Sequence, residues 1–247
     1  MSIPNKIVLP TVKSEVDKRW ISQDILMIGP PKIGKSEFFS FGDKTLYIQC
    51  EPGLKHLSVM KLQCTSWDDM KNIYSSLLEA SKGDSFPYDT IVIDTIDRWV
   101  DFVNEEVIDR GKEKFKSAVI NSVGDVPNGA GYSWAKDIAN NALSKLSNLP
   151  ACIVLIGHLS NKEITFENNV KMSMQTISLS PSIGTSICSW ADHILNIEGG
   201  NKTGDRKVRS RPTPSIMAGS RGKIVPEDFL WTANSEDNYK RFRGLFE

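Results

Sequence analysis

The sequence predicts an α/β fold, a mostly parallel sheet with helices on both faces, and three observations carry that prediction. Four short runs (25–28, 46–50, 91–93 and 152–156) are continuously apolar and rich in Ile and Val. Strands covered on both faces read this way, whereas half-exposed strands alternate apolar and polar residues. The stretches between the runs have helical spacing, and alternation of strand with helix favours parallel pairing through right-handed crossovers. The first run opens directly into the glycine-bounded stretch GPPKIGKS, 29–36, followed by Glu37, Phe38 and Phe39. A strand, a glycine loop and a helix in that order form a phosphate-binding unit.

In chain order, the loop after the first run has glycine, four variable residues, glycine, lysine and a hydroxyl. Its backbone amides and the helix start point at a phosphate chain, and the helix dipole favours negative charge. The residues expected to touch nucleotide are Gly29, Pro30, Pro31, Lys32, Ile33, Gly34, Lys35, Ser36 and Glu37. The loop resembles a Walker A motif, which implies that Lys35 reaches the terminal phosphates of ATP and the Ser36 hydroxyl holds Mg2+.

The second run ends at Cys50, directly before Glu51. A helix is expected over Trp67–Ala80, with Met70, Ile73, Tyr74 and Leu77 on one side. The third run lies in YDTIVIDTID, 88–97, and ends at Asp94. After it Ile96, Trp99 or Val100, Val103 and Val107 recur at helical intervals, with Asp97, Asp101, Glu105 and Asp109 facing away. A third helix is expected over 132–149, stopped by Pro150. The fourth run is followed by His158.

In an open parallel sheet a ligand lies beyond the carboxyl ends of the strands, so Glu51, Asp94 and His158 are the candidate reactive groups. The third run resembles a Walker B strand, in which Asp94 orients Mg2+ and its waters; the competing reading is a helix cap. Glu51 is placed to take a proton from attacking water, or else simply opens the turn at Pro52 and Gly53. His158 is placed to sense the terminal phosphate and signal to the segment after it, or else is a hydrogen-bonded structural residue.

The ordered set of these residues resembles the RecA-like branch of P-loop ATPases. More narrowly, YIQCEPGLKHL, IVIDTIDRWV, PNGAGYSWAKDIANNALSKLSNLPACIVLIGHLSNKE and SWADHILNI together resemble phage-encoded AAA-family nucleotide-binding proteins of the Sak-type recombination and single-strand annealing group, over roughly residues 20–230. The resemblance implies a single RecA-like ATPase domain over 1–247, with a core at 20–200 and a basic C-terminal β-hairpin extension at 201–230. It further implies Mg2+-dependent ATP hydrolysis by a homo-oligomeric ring or filament on single-stranded DNA. A single-strand binding protein or another phage recombination or replication protein would be a partner. Many RecA-like proteins carry glutamine where this chain has His158, so its sensing chemistry departs from the pattern.

In RecA-like proteins, loops at two places line a channel for single-stranded DNA. The corresponding segments here are 110–131, which carries Lys112, Lys114, Lys116 and Phe115, and 160–182, which carries Lys162, Lys171 and Phe166. The lysines are expected on the DNA backbone and the aromatics on bases. The second segment also reads as a plain hairpin around Glu167, Asn168 and Asn169. The tail after Trp190 reads as strands and loops, unlike the helical lid of AAA+ remodelling machines. Two strands are expected around the Gly-rich turn in 192–215, with Lys207, Arg209 and Arg211 sharing one face. Between residues 202 and 223 seven basic residues face one acid, Asp205. Arg221 and Lys223 are candidates for cations completing a neighbouring subunit's site in trans, or for a nonspecific basic face.

Composition sets the outer limits. With 247 residues, 40% hydrophobic and 24% charged, the chain can bury one sizeable core. Thirty basic and thirty acidic residues leave attraction to nucleic acid to local patches. The four cysteines Cys50, Cys64, Cys152 and Cys188 lack metal-ligand spacing. No stretch approaches the roughly 18 apolar residues of a membrane span, and residues 1–13 lack a secretion signal, so a cytoplasmic protein is expected, in host cytoplasm if phage-encoded. The competing functions are a helicase or helicase loader, and a nucleotide-switched scaffold with negligible turnover.

Overall fold

The computed structural model describes residues 9–83, 85–165, 171–199, 205–222, 224–226, 228–232 and 234–246. Its strands are β1 (Asp24–Ile28), β2 (Thr45–Gln49), β3 (Met60–Gln63), β4 (Thr90–Asp94), β5 (Cys152–Gly157), β6 (Leu159–Thr165), β7 (Lys171–Ile177), β8 (His193–Gly199), β9 (Arg206–Arg209), β10 (Gly219–Ser220) and β11 (Asp228–Trp231). The helices are α1 (Lys35–Phe39), α2 (Trp67–Ala80), α3 (Ile96–Lys114), α4 (Ala130–Leu146), α5 (Pro181–Trp190) and α6 (Ser235–Arg243).

The main sheet has nine strands in the order β11-β9-β8-β1-β5-β4-β2-β3, with β10 also on β8. From β8 across to β3 all neighbours are parallel. The outer edge of β8 is shared by two antiparallel strands. Its last residues, Asn196 to Gly199, pair with β9, and its first two pair with β10.

Strand parity divides the core into two clusters, because successive side chains leave a strand on opposite faces. Leu26 and Ile28 of β1 pack with α2, α3, α4 and α5, whereas Ile25 and Met27 pack with α1, α6 and the C-terminal strands. The four apolar runs are thus the central strands, and the parallel sheet with helices on both faces is as expected. Helix α1 has only five residues and would not persist alone. It is held by Phe38 and Phe39, with Phe38 stacked on Trp231 at 4.1 Å and edge-on to Tyr239 and Phe242. That aromatic cluster fixes the helix that carries the phosphate loop.

Several boundaries differ from expectation. Helix α3 runs through Lys114, and α4 spans Ala130–Leu146, not 132–149. Strand β3 has no continuous apolar run in the sequence because it is an edge strand whose residues are all exposed. Helix α5, Pro181–Trp190, is a further element beyond the expected ones. The tail contains β8, β9, β10 and β11, as expected of strands and loops, but also the helix α6, whose Asn234 cap and buried Tyr239 and Phe242 anchor it beside α1. Strands β6 and β7 form an antiparallel hairpin, the plainer of the two readings of that segment. The turn of Glu167, Asn168 and Asn169, together with Phe166 and the Gly-rich turn at 200–204, lies outside the described residues. Among the described residues no helix is long and apolar enough to cross a membrane.

Candidate nucleotide site at the carboxyl edge of the sheet

The loop 29–34 leaves β1 at the centre of the sheet and turns into α1. Gly29 lies against β8, where a Cβ would come within 3.0 Å of the Ile197 carbonyl oxygen. Gly34 has φ +95°, in the left-handed region that glycine alone enters freely. Pro30, Pro31 and Lys32 form the exposed rim, Ile33 packs into the core beneath, and Glu37 is partly exposed on the first turn of α1.

Lys35 is only 5% exposed. Its Nζ donates to the carbonyls of Gly29 at 2.8 Å and Pro30 at 2.9 Å, so the ammonium is folded back onto its own loop. Burial pulls its pKa down, opposed by the charges of Asp94, Asp97 and Glu51. Asp94, at the end of β4, is 7% exposed. Burial pushes its carboxyl up, a hydrogen bond from Ser36 opposes this, Glu51 adds to it, and Lys35 and His158 oppose it. The ends of β2, β4 and β5 and the start of α1 bring Lys35, Ser36, Glu51, Asp94 and His158 to the carboxyl edge of the sheet, where the charges of Glu51 and Asp94 act on Lys35 and those of Lys35, Glu51 and His158 act on Asp94. Glu51 is tied in by its backbone: Cys50 N donates to Asp94 O at 2.8 Å, and Gln49 Nε2 donates to Glu51 O at 3.1 Å.

Two residues of the cluster went unread in the sequence. Periodicity alone places Asp97 on the outer face of α3. Instead its Oδ2 accepts from the backbone N of His158 at 3.0 Å and lies 3.2 Å from the ring Nδ1. The signal was its place in the first helical turn after the β4 end, from which a side chain reaches back toward the strand ends. Thr95, directly after Asp94, has a buried hydroxyl with no hydrogen-bond partner among the described residues. A buried unpartnered hydroxyl beside a buried carboxylate and an ammonium resting on loop carbonyls fits a site built for an anionic ligand and its cation. Asp94 and Ser36 supply oxygen donors suited to Mg2+, and Lys35 with the loop amides suits phosphate.

The remaining candidates are dispersed. Strand β10 runs antiparallel to β8 with Ser220 opposite His193, so Arg221 emerges at the amino edge of the sheet. There its Nη1 is 2.8 Å from Asp192 Oδ1 and its Nη2 donates to Ser189 O. Within one subunit Arg221 therefore does not join the nucleotide cluster, and Lys223 lies outside the described residues. Lys112 and Lys114 sit on the last turn of α3, not in a loop; Lys112 is 3.5 Å from Asp109, and Lys114 lies over the rings of Phe115 and Trp134. Lys116 is exposed just beyond. Lys162 is exposed on β6, and Lys171 on β7 pairs with Glu163 at 2.6 Å. Arg211 falls beyond β9 and donates to carbonyls of Ser210, Ser220 and Gly222, so it does not share a strand face with Lys207 and Arg209.

Among curated proteins none matches the chain. The profile of a protein family described as AAA domain matches residues 21–222, the span that holds the loop, Glu51, Asp94, His158 and all strands through β10. With most of its length matched and its strand–loop–helix unit at the centre of a mostly parallel sheet, the chain belongs to the AAA domain family of P-loop nucleotide-binding proteins.

Proposed function

We propose that the chain is a Mg2+-dependent ATPase that works as a homo-oligomer on single-stranded DNA, in recombination or annealing. The observation that carries the reading is that the phosphate loop with Lys35 and Ser36 shares the carboxyl edge of one parallel sheet with Glu51, Asp94 and His158, each at the end of a neighbouring strand. Lys35 exchanges the carbonyls of Gly29 and Pro30 for the terminal phosphate oxygens. Ser36 and Asp94 would hold Mg2+, which would supply positive charge against the phosphoryl oxygens. Glu51 accepts a proton from the attacking water. Asp97 holds the His158 imidazole and backbone so that the ring faces the terminal phosphate.

The DNA component is supported by connectivity. Strand β6 begins at the residue after His158, and Ser178 N donates to His158 O at 3.0 Å, so both ends of the β6–β7 hairpin are tied to the sensing residue. A shift of His158 with nucleotide state would move the hairpin carrying Lys162 and Lys171. The exposed lysines at the end of α3 and just beyond it, next to the stacked Phe115 and Trp134, supply a second surface with cations and rings.

The test is ATP hydrolysis with and without a single-stranded oligonucleotide, in wild type and Glu51→Gln. Wild type should hydrolyse ATP and be stimulated by DNA. Glu51→Gln should retain ATP and lose about a thousandfold in turnover, in the range of general base removal. Hydrolysis indifferent to DNA would remove the DNA component, and undiminished turnover in Glu51→Gln would remove Glu51 as the base.

A further inference from the structure

Strand β9 brings a cation to the phosphate loop from within the same subunit. It runs antiparallel to β8 and starts opposite Gly199, so its first residue, Arg206, returns to the carboxyl edge where β8 ended. Val208 is buried in the cluster that includes Phe38 and Phe39. By strand parity Arg206 shares that face, the one that carries α1, while Lys207 and Arg209 leave on the other. The Arg206 guanidinium lies on Gly34. A Cβ at position 34 would be 2.5 Å from Nη1, 2.9 Å from Cζ and 3.1 Å from Nη2. Its one ion pair among the described residues is a long contact of Nη1 with Glu37 Oε2 at 3.8 Å, beyond hydrogen-bond range. The side chain is one-quarter exposed, so its fork of N–H donors is neither locked into the fold nor free in solvent.

We infer that Arg206 is a nucleotide-binding residue acting in cis, pairing with the inner, α side of the phosphate chain and released to it by Glu37. The inference rests on the ATPase reading above. The loop amides cradle the inner phosphates, and the lysine reaches outward to the terminal ones. Lys35, Glu51, Asp94 and His158 mark the terminal end. Arg206, between Gly34 and Glu37, is on the other flank of the loop. Bound phosphate offers a planar guanidinium two short charge-assisted hydrogen bonds in place of one distant carboxylate. Glycine at 34 then serves two needs, the left-handed turn and room for the guanidinium.

The experiment is equilibrium binding of fluorescent ADP and fluorescent ATP, with turnover at saturating ATP, in wild type, Arg206→Ala, Arg206→Lys and Glu37→Gln, each checked for an intact thermal transition. Arg206→Ala should weaken ADP and ATP alike, about ten- to fiftyfold, the range of a bidentate charge-assisted contact, with kcat within about twofold of wild type. Arg206→Lys should recover part of the loss, since lysine keeps the charge but not the fork. Glu37→Gln should tighten both nucleotides by freeing the guanidinium. Equal affinity in wild type and Arg206→Ala, or in wild type and Arg206→Lys should the alanine variant fail to fold, overturns the inference and leaves the ATPase reading intact. A loss confined to ATP with a fall in kcat overturns the inner-phosphate assignment. Wild type that binds neither nucleotide overturns the ATPase reading and this inference with it.

Discussion

The two ends of the same strands carry two clusters of ionisable groups that differ in how their valences are filled. At the amino edge each group is answered by a neighbour. Asp24 accepts from Ser147 Oγ at 2.7 Å, which in turn accepts from Trp190 Nε1 at 2.7 Å. Asp192 holds Arg221 at 2.8 Å and accepts from the backbone of Asp24 at 3.1 Å. His193 lies between Ser220 Oγ and Gln23 Oε1, and the glutamine oxygen requires the Nε2–H tautomer. At the carboxyl edge the filling among the described residues is incomplete: Lys35 rests on carbonyls of its own loop, Thr95 has a buried hydroxyl without a partner, and the ion contact of Arg206 is a long one with Glu37. A closed network of this kind stabilises a fold, whereas uncommitted donors held in place prepare a site for a ligand. Charge at a sheet edge is thus not by itself a sign of function.

The largest test of this contrast is the pH dependence of stability, which should belong to the amino edge. Burial depresses the His193 pKa from 6.5 to about 4. Its contribution to stability is therefore present above pH 6.5 and lost as pH falls toward 4. Asp24 is the reverse: burial raises its pKa from 3.8 to about 6, so the fold prefers it protonated and its contribution is lost as pH rises through 6. Each shift corresponds to about 3 kcal/mol at roughly 1.4 kcal/mol per pKa unit, with opposite signs over the same window. The wild-type melting temperature should consequently change little from this pair between pH 6.5 and 4. Asp24→Asn removes one side of the balance. Its melting temperature should exceed wild type at pH 8 and fall more steeply in acid, and parallel curves for the two proteins would dissolve the opposition.

Of intermediate size is the effect of Asp97 on its histidine, and it also shows where the sequence was legible. The phosphate loop, Glu51, Asp94 and His158 could be read because each ends an apolar run or fills a spaced motif, both local properties of the chain. Asp97 was read as part of a solvent face because helical period reports which side of α3 is apolar, not what lies beyond the helix end. Arg206 was hidden for a different reason: its position depends on an antiparallel return, and sequence alternation grouped the three other cations 207, 209 and 211 instead. Helix α6 was unreadable as a core element because only two of its residues, Tyr239 and Phe242, are apolar, and they sit among charges. On the proposed role of His158, loss of one charge-assisted hydrogen bond of about 1.5 kcal/mol to it predicts that Asp97→Asn lowers hydrolysis roughly tenfold. Nucleotide affinity should stay near wild type, and DNA stimulation should shrink with the turnover. An unchanged rate would make the Asp97–His158 contact part of the scaffold.

The smallest expected effect falls on Arg221, and it separates the edges most directly. The Arg221 side chain is 63% exposed and that of its partner Asp192 is 24% exposed. An ion pair this open contributes about 1 kcal/mol or less, which for a chain of this length is a few degrees of melting temperature at most. Asn196 to Gly199 at the far end of β8 face Arg206 to Arg209, while Arg221 emerges beside Asp192, seven residues from Gly199 and so roughly 20 Å away at about 3.3 Å per residue. Arg221→Ala should therefore lower the melting temperature slightly and leave ATP turnover per folded subunit unchanged. A variant that keeps its stability but loses turnover would reverse this. If mixing it with Lys35→Ala then restored activity, Arg221 would serve a neighbour's nucleotide across a subunit interface, since a cation released from Asp192 at one subunit's amino edge can reach only a site brought to it by another copy.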